Sequence, residues 1–337
     1  MSSYTVRAVA ENGSKANGLY ATRNIKAGEA IIEEDPLLSL RITNPSTFFP
    51  SEHDGDSTLV QSAIDGLNTQ ERNDFLALCY DESRVTSDAS GRITGGWTAN
   101  LERVFTNRFD HHNEDGSIQI SVFKDCARAN NSCVPNAYFY FGDEKQGIIR
   151  AVTNIERDEE ITIDYLVNWM TRSERAKAMI WTRSGVVRCD CKACTDYTED
   201  PAKHAYYETS DARRKELEKL RILLQKYYPS EEKSSWKFRD LCDAIEKRGE
   251  TLLGGTSRPQ KLLLEAAEKY VEIMEYEAIY DERYLQGLLM VVYFDDAATG
   301  RLECTPARDR AAQYGKLIYG EGWGRFVKVY TPYWPES

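Results

Sequence analysis

The chain has 337 residues and a formal net charge of −11, from 54 acidic and 43 basic side chains. That balance disfavours direct binding to nucleic acid, which needs clustered Lys and Arg to displace counterions; an acidic surface draws a basic protein tail, although many cytosolic proteins are this acidic without such a partner. No apolar run approaches the ~20 residues of a membrane span, and Met1-Ser2-Ser3-Tyr4 opens without a basic-then-apolar signal, so a soluble, intracellular protein of the cytoplasm or nucleus is expected. The length allows one large or two ordinary domains with an unstapled core. Eight cysteines without a secretory signal argue for thiols and metal rather than disulfides.

Taken in order, Tyr4–Val9 alternates as a short strand. A glycine-bearing turn follows over Gly13–Gly18, and Ile25-Lys26-Ala27-Gly28-Glu29 reads as a turn into a second strand through Glu34. Residues 41–105 carry no metal-ligand spacing and read as helical around Leu59 to Leu78. Asn68 with Glu71 three positions on forms a capping box for the helix holding Phe75, Leu76 and Leu78. Ser83–Gly96 is a polar loop. Next come Cys126-Ala127-Arg128-Ala129-Asn130-Asn131-Ser132-Cys133-Val134-Pro135-Asn136, a hairpin of Ala137–Phe141 and Gly147–Val152 about a turn at Gly142-Asp143, and Glu159-Glu160-Ile161-Thr162-Ile163-Asp164-Tyr165.

A helix then runs from Trp169 to Trp181, with Ser173 as its candidate cap, into Cys189-Asp190-Cys191-Lys192-Ala193-Cys194. Three thiols this close share one metal only if the chain loops around it, and Zn²⁺ asks for four tetrahedral ligands. Beyond Asp196 the pattern is helical: Leu217, Leu220 and Leu224, then Phe238, Leu241 and Ile245, keep i, i+3, i+7 spacing. Gly254-Gly255 breaks the pattern. Pro259 starts a further helix, another spans about Asp281 to Phe294, and a last one lies between Thr305-Pro306 and Gly320. His53, His111, His112 and His204 show no ligand spacing, and Cys79, Cys126, Cys242 and Cys304 stand alone.

The segments ending at Asn136 and Tyr165 resemble the paired motifs N-H-S-C-x-P-N and G-E-E-I-T-I-D-Y of the SET domain, the fold of S-adenosylmethionine (SAM)-dependent lysine methyltransferases. The resemblance implies an α+β chain: a SET-type β-fold with a knotted core and helical insert, a post-SET zinc site, and an all-α C-terminal region. Residues 1–170 are then the SET domain with its insert at about 41–105, 171–195 the post-SET segment, and 196–337 a helical domain similar to the tetratricopeptide-like tail of SET-and-MYND proteins. A MYND finger is absent, since only Cys79 lies in the interval where it belongs. Thr106-Asn107-Arg108-Phe109 resembles a motif of fungal-type relatives, and the insert reads either as a substrate-side wall or as plain structure.

Methyl transfer from a sulfonium to an amine needs in-line positioning and a neutral amine. A lysine with a pKa near ~10.4 must first lose its proton, which desolvation beside a cation favours. The resemblance makes Tyr165 the catalytic hydroxyl, which stays neutral at pH 7. It places SAM against Lys15, Ala16, Asn17, Gly18, Asn130, Asn131, Tyr165 and Val187, with Asn130 on the amino acid end. It adds Cys133 to Cys189, Cys191 and Cys194 as the fourth zinc ligand, pinning a flap at the cofactor pocket. The expected partner is a protein substrate or a small molecule, with no nucleic acid or membrane contact, and the expected state is a monomer.

Several positions depart from the family. Ala16 replaces a glycine, Asn131 replaces the histidine, and Gly185 and Val187 stand where aromatics line the lysine channel and stack on adenine. The leading expectation is methylation of a protein lysine. A wider channel suits a SET scaffold redirected to a metabolite, and a non-catalytic binding module is the third reading, against which Tyr165 and Asn130 speak.

Overall fold

A computed structural model describes residues 2–11, 14–43, 57–80, 85, 98–113, 115–166, 169–182, 189, 191, 193–194, 201–226, 259–299, 306–320 and 323. The expectations on most of the Ser83–Gly96 loop, on Gly185 and Val187, on the helix of Phe238, Leu241 and Ile245, and on Gly254-Gly255 lie outside these residues. The chain divides into two compact units. One comprises Met1–Ser132, Asn136–Leu166 and Arg175–Cys191, and the other Cys133–Pro135, Val167–Glu174 and Lys192–Ser337.

Among its described residues the first unit holds three small sheets. Strands β1 (Tyr4–Glu11) and β2 (Ser14–Ala21) form an antiparallel pair, and β10 (Glu160–Ile163) and β7 (Asn130–Asn131) extend it in the order β1-β2-β10-β7. The second sheet runs β3 (Ala30–Glu34), β9 (Gly147–Ala151), β8 (Ala137–Phe141), and contains the expected hairpin. The third runs β4 (Leu38–Ile42), β6 (Ile118–Val122), β5 (Arg108–His112). Among the described residues, all strand pairings are antiparallel except β10 with β7.

Alternation decides which side chains are buried, because neighbours along a strand point to opposite faces. Leu19 and Ala21 of β2, Ile161 and Ile163 of β10, and Ile149 and Ala151 of β9 meet in one core with Phe123 and Cys126. A second core forms where β4, buried at Leu38, Leu40 and Ile42, receives the apolar faces of α1 (Ser57–Asp65), α2 (Thr69–Leu76) and α3 (Ala99–Asn107) through Val60, Ile64, Phe75 and Leu101. The Asn68–Glu71 capping box is present in both directions. Of the three residues expected on that helix, Phe75 is buried and Leu76 is its exposed last residue; Leu78 lies two residues beyond its end and fills the core with Phe75.

The second unit is helical: α5 (Pro201–Gln225), α6 (Pro259–Tyr276), α7 (Glu282–Thr299) and α8 (Pro306–Tyr319), each packed on the next. Leu217, Leu220 and Leu224 are buried as their spacing predicts. Glu277, buried just beyond α6, accepts from Ser210 Oγ at 2.5 Å, Arg213 Nε at 2.5 Å and Arg214 Nε at 3.0 Å. Gly320 ends α8 with φ 67°, the left-handed conformation glycine adopts at a helix C-terminus.

Helix α4 (Arg172–Thr182) is capped by Thr171, not by Ser173. The Thr171 backbone N–H donates to Glu174 Oε2 at 2.7 Å, and the Glu174 N–H donates back to Thr171 Oγ1 at 3.4 Å. The glutamate three residues beyond Thr171 makes the reciprocal box that Ser173 has no partner to build. Among the described residues, no helix is long and apolar enough to cross a membrane.

Candidate active site

The face of the first sheet opposite the core is set by the same alternation. On β10, Ile161 and Ile163 turn inward while Glu160 and Thr162 stay half-open. β7 is only two residues long, and it pairs in parallel with the end of β10, Thr162 opposite Asn130 and Ile163 opposite Asn131. Asn130 donates through Nδ2 to Glu160 Oε1 at 2.7 Å. Asn131 accepts the Tyr165 backbone N–H at 2.9 Å and donates through Nδ2 to Cys189 Sγ at 3.4 Å. An amide therefore does structural work where the SET motif has an imidazole, tying Tyr165, the second residue past β10, to a cysteine of the predicted metal set.

Tyr165 itself is half-buried, and its hydroxyl donates to the Ala129 carbonyl. With its proton directed there, what the oxygen offers another partner is acceptor capacity. Asn136 completes the frame from the side. It accepts the Thr162 N–H at 2.9 Å and donates to the Glu160 carbonyl at 2.8 Å, so its amide stands in for a neighbouring strand.

Of the predicted cofactor residues, Gly18 and Asn17 lie on β2 in this sheet, and Lys15 and Ala16 lie on the same strand opposite Ala10 and Val9. Ala16 is thus in extended pairing and needs no left-handed backbone, so its replacement of glycine carries no conformational cost. At Gly18 a side chain would displace its neighbours. A Cβ there would stand 2.6 Å from Glu160 Oε1 and 3.0 Å from Asn130 Nδ2. Asp158, where the family motif has glycine, adopts φ 67°, a conformation Asp tolerates better than most residues; Arg7 holds its carboxylate at 2.5 Å.

The turn preceding Asn130 is held by a half-buried acid. Glu34, at the end of β3, accepts the backbone N–H groups of Asp125 at 2.9 Å and Cys126 at 2.6 Å, and Asp125 accepts the Tyr4 hydroxyl at 2.6 Å. Burial pushes the Glu34 carboxyl above its ordinary 4.5, outweighing those N–H donors, and it pushes the Cys126 thiol and the Tyr4 phenol up as well. Replacing Glu34 by Ala leaves two N–H groups without this acceptor and should lower the unfolding free energy by about 2 to 3 kcal/mol. Glu34→Gln keeps an acceptor. Because the folded pKa is raised, stability tied to the carboxyl is full below the ordinary value and is lost as pH rises through the raised one. Glu34→Gln should therefore gain on wild type in urea unfolding between pH 4.5 and pH 7; the opposite trend would contradict this assignment.

Four cysteine sulfurs, from Cys133, Cys189, Cys191 and Cys194, lie within 4.8 Å of one another. Cys133 and Cys194 are buried and their sulfurs stand 3.6 Å apart. A zinc tetrahedron with bonds of about 2.3 Å has S–S edges of about 3.8 Å, so the thiols fit such an ion. Cys126, close in sequence, is in the core instead, and Cys79 is exposed.

Residues 16–166 match the family model described as the SET domain. These residues form a SET domain. The chain is 36% identical over 108 residues to the N-lysine methyltransferase SMYD2-A of Danio rerio, covering 31% of this chain and 23% of that protein. It is 32% identical over 99 residues to the histone-lysine N-methyltransferase SMYD3 of Homo sapiens, covering 29% and 22%, and 32% identical over 78 residues to ASHR1 of Arabidopsis thaliana, a histone-lysine N-methyltransferase, covering 23% and 16%. The chain thus spans a quarter or less of the length of these relatives. A solved structure of the Neurospora SET domain protein DIM-5 superposes with a TM-score of 0.23 at 16% identity, covering 49% of this chain and 52% of that one.

Asn130 and Asn131, singled out in the sequence, form β7, and Tyr165 follows β10, its backbone N–H bonded to Asn131. Glu160, Asn136, Glu34 and the Ala129 carbonyl were not singled out. Glu160 was open to inference, since period-two alternation with the apolar Ile161 and Ile163 assigns it to the face away from the core.

Proposed function

We propose that this protein transfers a methyl group from SAM to the side-chain amine of a protein lysine. The observation that carries the reading is the Tyr165 hydroxyl, bonded to the Ala129 carbonyl one residue before Asn130. That arrangement supports an oxygen held as an acceptor at the place where an amine and a polarised methyl group meet. Asn130 binds the amino acid portion of SAM, Asn131 and the β2 residues Lys15, Ala16, Asn17 and Gly18 border the cofactor, and Val187 lies toward the adenine. Zinc bound by Cys133, Cys189, Cys191 and Cys194 holds the post-SET segment. The chain passes through the knotted SET core, residues 196–337 form a tetratricopeptide-like tail, and the protein acts as a monomer in cytoplasm or nucleus on a substrate with a basic tail, which the net charge of −11 favours.

The chemistry asked of this chain's residues is limited. They align the reactants, shed water so that the amine loses its proton, and hold the methyl's polarised hydrogens with oxygens. Calorimetry tests the reading directly. Wild-type protein should bind SAM and S-adenosylhomocysteine, and Asn130→Ala should weaken both by roughly 1 to 3 kcal/mol through loss of a polar partner to a charged group. Unchanged affinity in the variant places the nucleotide elsewhere.

A further inference from the structure

We infer that Glu160 is a positioning residue that fixes which end of the Asn130 amide faces the ligand, so that this position accepts a hydrogen bond and selects a ligand carrying a donor, an α-ammonium. The inference rests on the reading above, that Asn130 meets the amino acid end of SAM. An asparagine amide presents a donor or an acceptor depending on which way it is turned, and the two orientations are nearly isosteric. The neighbour decides between them. A carboxylate only accepts, and Glu160 Oε1 stands 2.7 Å from Asn130 Nδ2. The NH₂ group is thereby turned toward Glu160, and Oδ1 is presented on the other side.

Three strands converge to make this possible. Asn130 pairs with Thr162, two residues along the same face from Glu160, so the two side chains are diagonal neighbours across β7 and β10. On the other side, Tyr20 of β2 pairs with Glu160, and Gly18 lies two residues along the same face. The absent Cβ of Gly18 leaves the space in which the carboxylate and the amide meet, since that atom would come within 2.6 Å of Glu160 Oε1 and 3.0 Å of Asn130 Nδ2. Each residue has an ordinary explanation alone. Together they hold an amide in one of its two orientations beside the Tyr165 frame.

The test uses the full chain, S-adenosylhomocysteine, and its analogue in which hydrogen replaces the α-amino group. Glu160→Gln frees the amide to turn and should weaken S-adenosylhomocysteine by about 10- to 100-fold, the range for a hydrogen bond to a charged group, while scarcely affecting the deaminated analogue. Asn130→Asp sets two carboxylates against each other and should weaken it as much. In Asn130→Asp with Glu160→Gln, the glutamine NH₂ donates to one aspartate oxygen and leaves the other for the ammonium, so affinity should return to within about threefold of wild type. Equal losses for both ligands in Glu160→Gln, or no recovery in the double variant, would overturn the inference. A wild-type protein that binds neither ligand would overturn the methyltransferase reading and the ligand half of this one. The orientation is read separately from the Asn130 side-chain amide signals in ¹⁵N spectra of the ligand-free protein: they should move in Glu160→Gln, and unmoved signals overturn the orientation.

Discussion

Tyr165→Phe should lose turnover by on the order of a hundredfold or more, the scale seen when a group acting on the reacting atoms is removed, while SAM affinity stays close to wild type. The ring keeps its place against the core, so packing is conserved. The hydroxyl's bond to the Ala129 carbonyl goes, at a cost of about 1 kcal/mol in stability, which denaturant unfolding will separate from the kinetic effect. Single-turnover kinetics with radiolabelled SAM and a protein or peptide substrate, paired with calorimetry, gives both quantities. A variant that binds SAM normally and turns over at the wild-type rate would exclude Tyr165 from the chemistry.

The same assay distinguishes a lysine enzyme from a scaffold redirected to a metabolite. Gly185→Tyr supplies the aromatic that the resemblance to SET domains leads one to expect at the lysine channel. A lysine methyltransferase should tolerate it or gain, whereas an enzyme whose substrate fills that volume should be blocked, because an added side chain in a packed site costs about 1 to 3 kcal/mol or more.

Much of this site was legible because its residues lie in two short, contiguous motifs. The hairpin of β8 and β9 and the capping box at Asn68 were equally local, each needing only a few neighbours in sequence to specify it. The trio of Gly18, Asn130 and Glu160 was not legible in the same way. It depends on register across three strands, one of them two residues long, and no local pattern announces a strand so short. The cap of α4 shows a different kind of miss. Thr171-Arg172-Ser173-Glu174 contains two hydroxyls, and the glutamate at the capping-box distance from Thr171 was the signal that separates them. Asp158 and Ala16 show that a motif's glycines do not all serve one purpose: the first position has positive φ and keeps it with Asp, while Ala16 sits in extended pairing.

Zinc analysis of purified protein should give about one ion per chain, and Cys191→Ser should lose it. Four thiolates at tetrahedral spacing bind Zn²⁺ far more strongly than three, and the binding free energy of a structural zinc is also folding free energy. The variant should therefore be less stable as well as metal-free, and SAM affinity should fall with it if the post-SET segment borders the cofactor. Cys79→Ser is the control, because that thiol is exposed and outside the cluster of four; it should keep both metal and stability. Chelation of wild-type protein should reproduce the Cys191→Ser phenotype, and readdition of zinc should reverse it in wild type alone. Full metal retention by Cys191→Ser would remove these four cysteines as a zinc site, whatever their proximity.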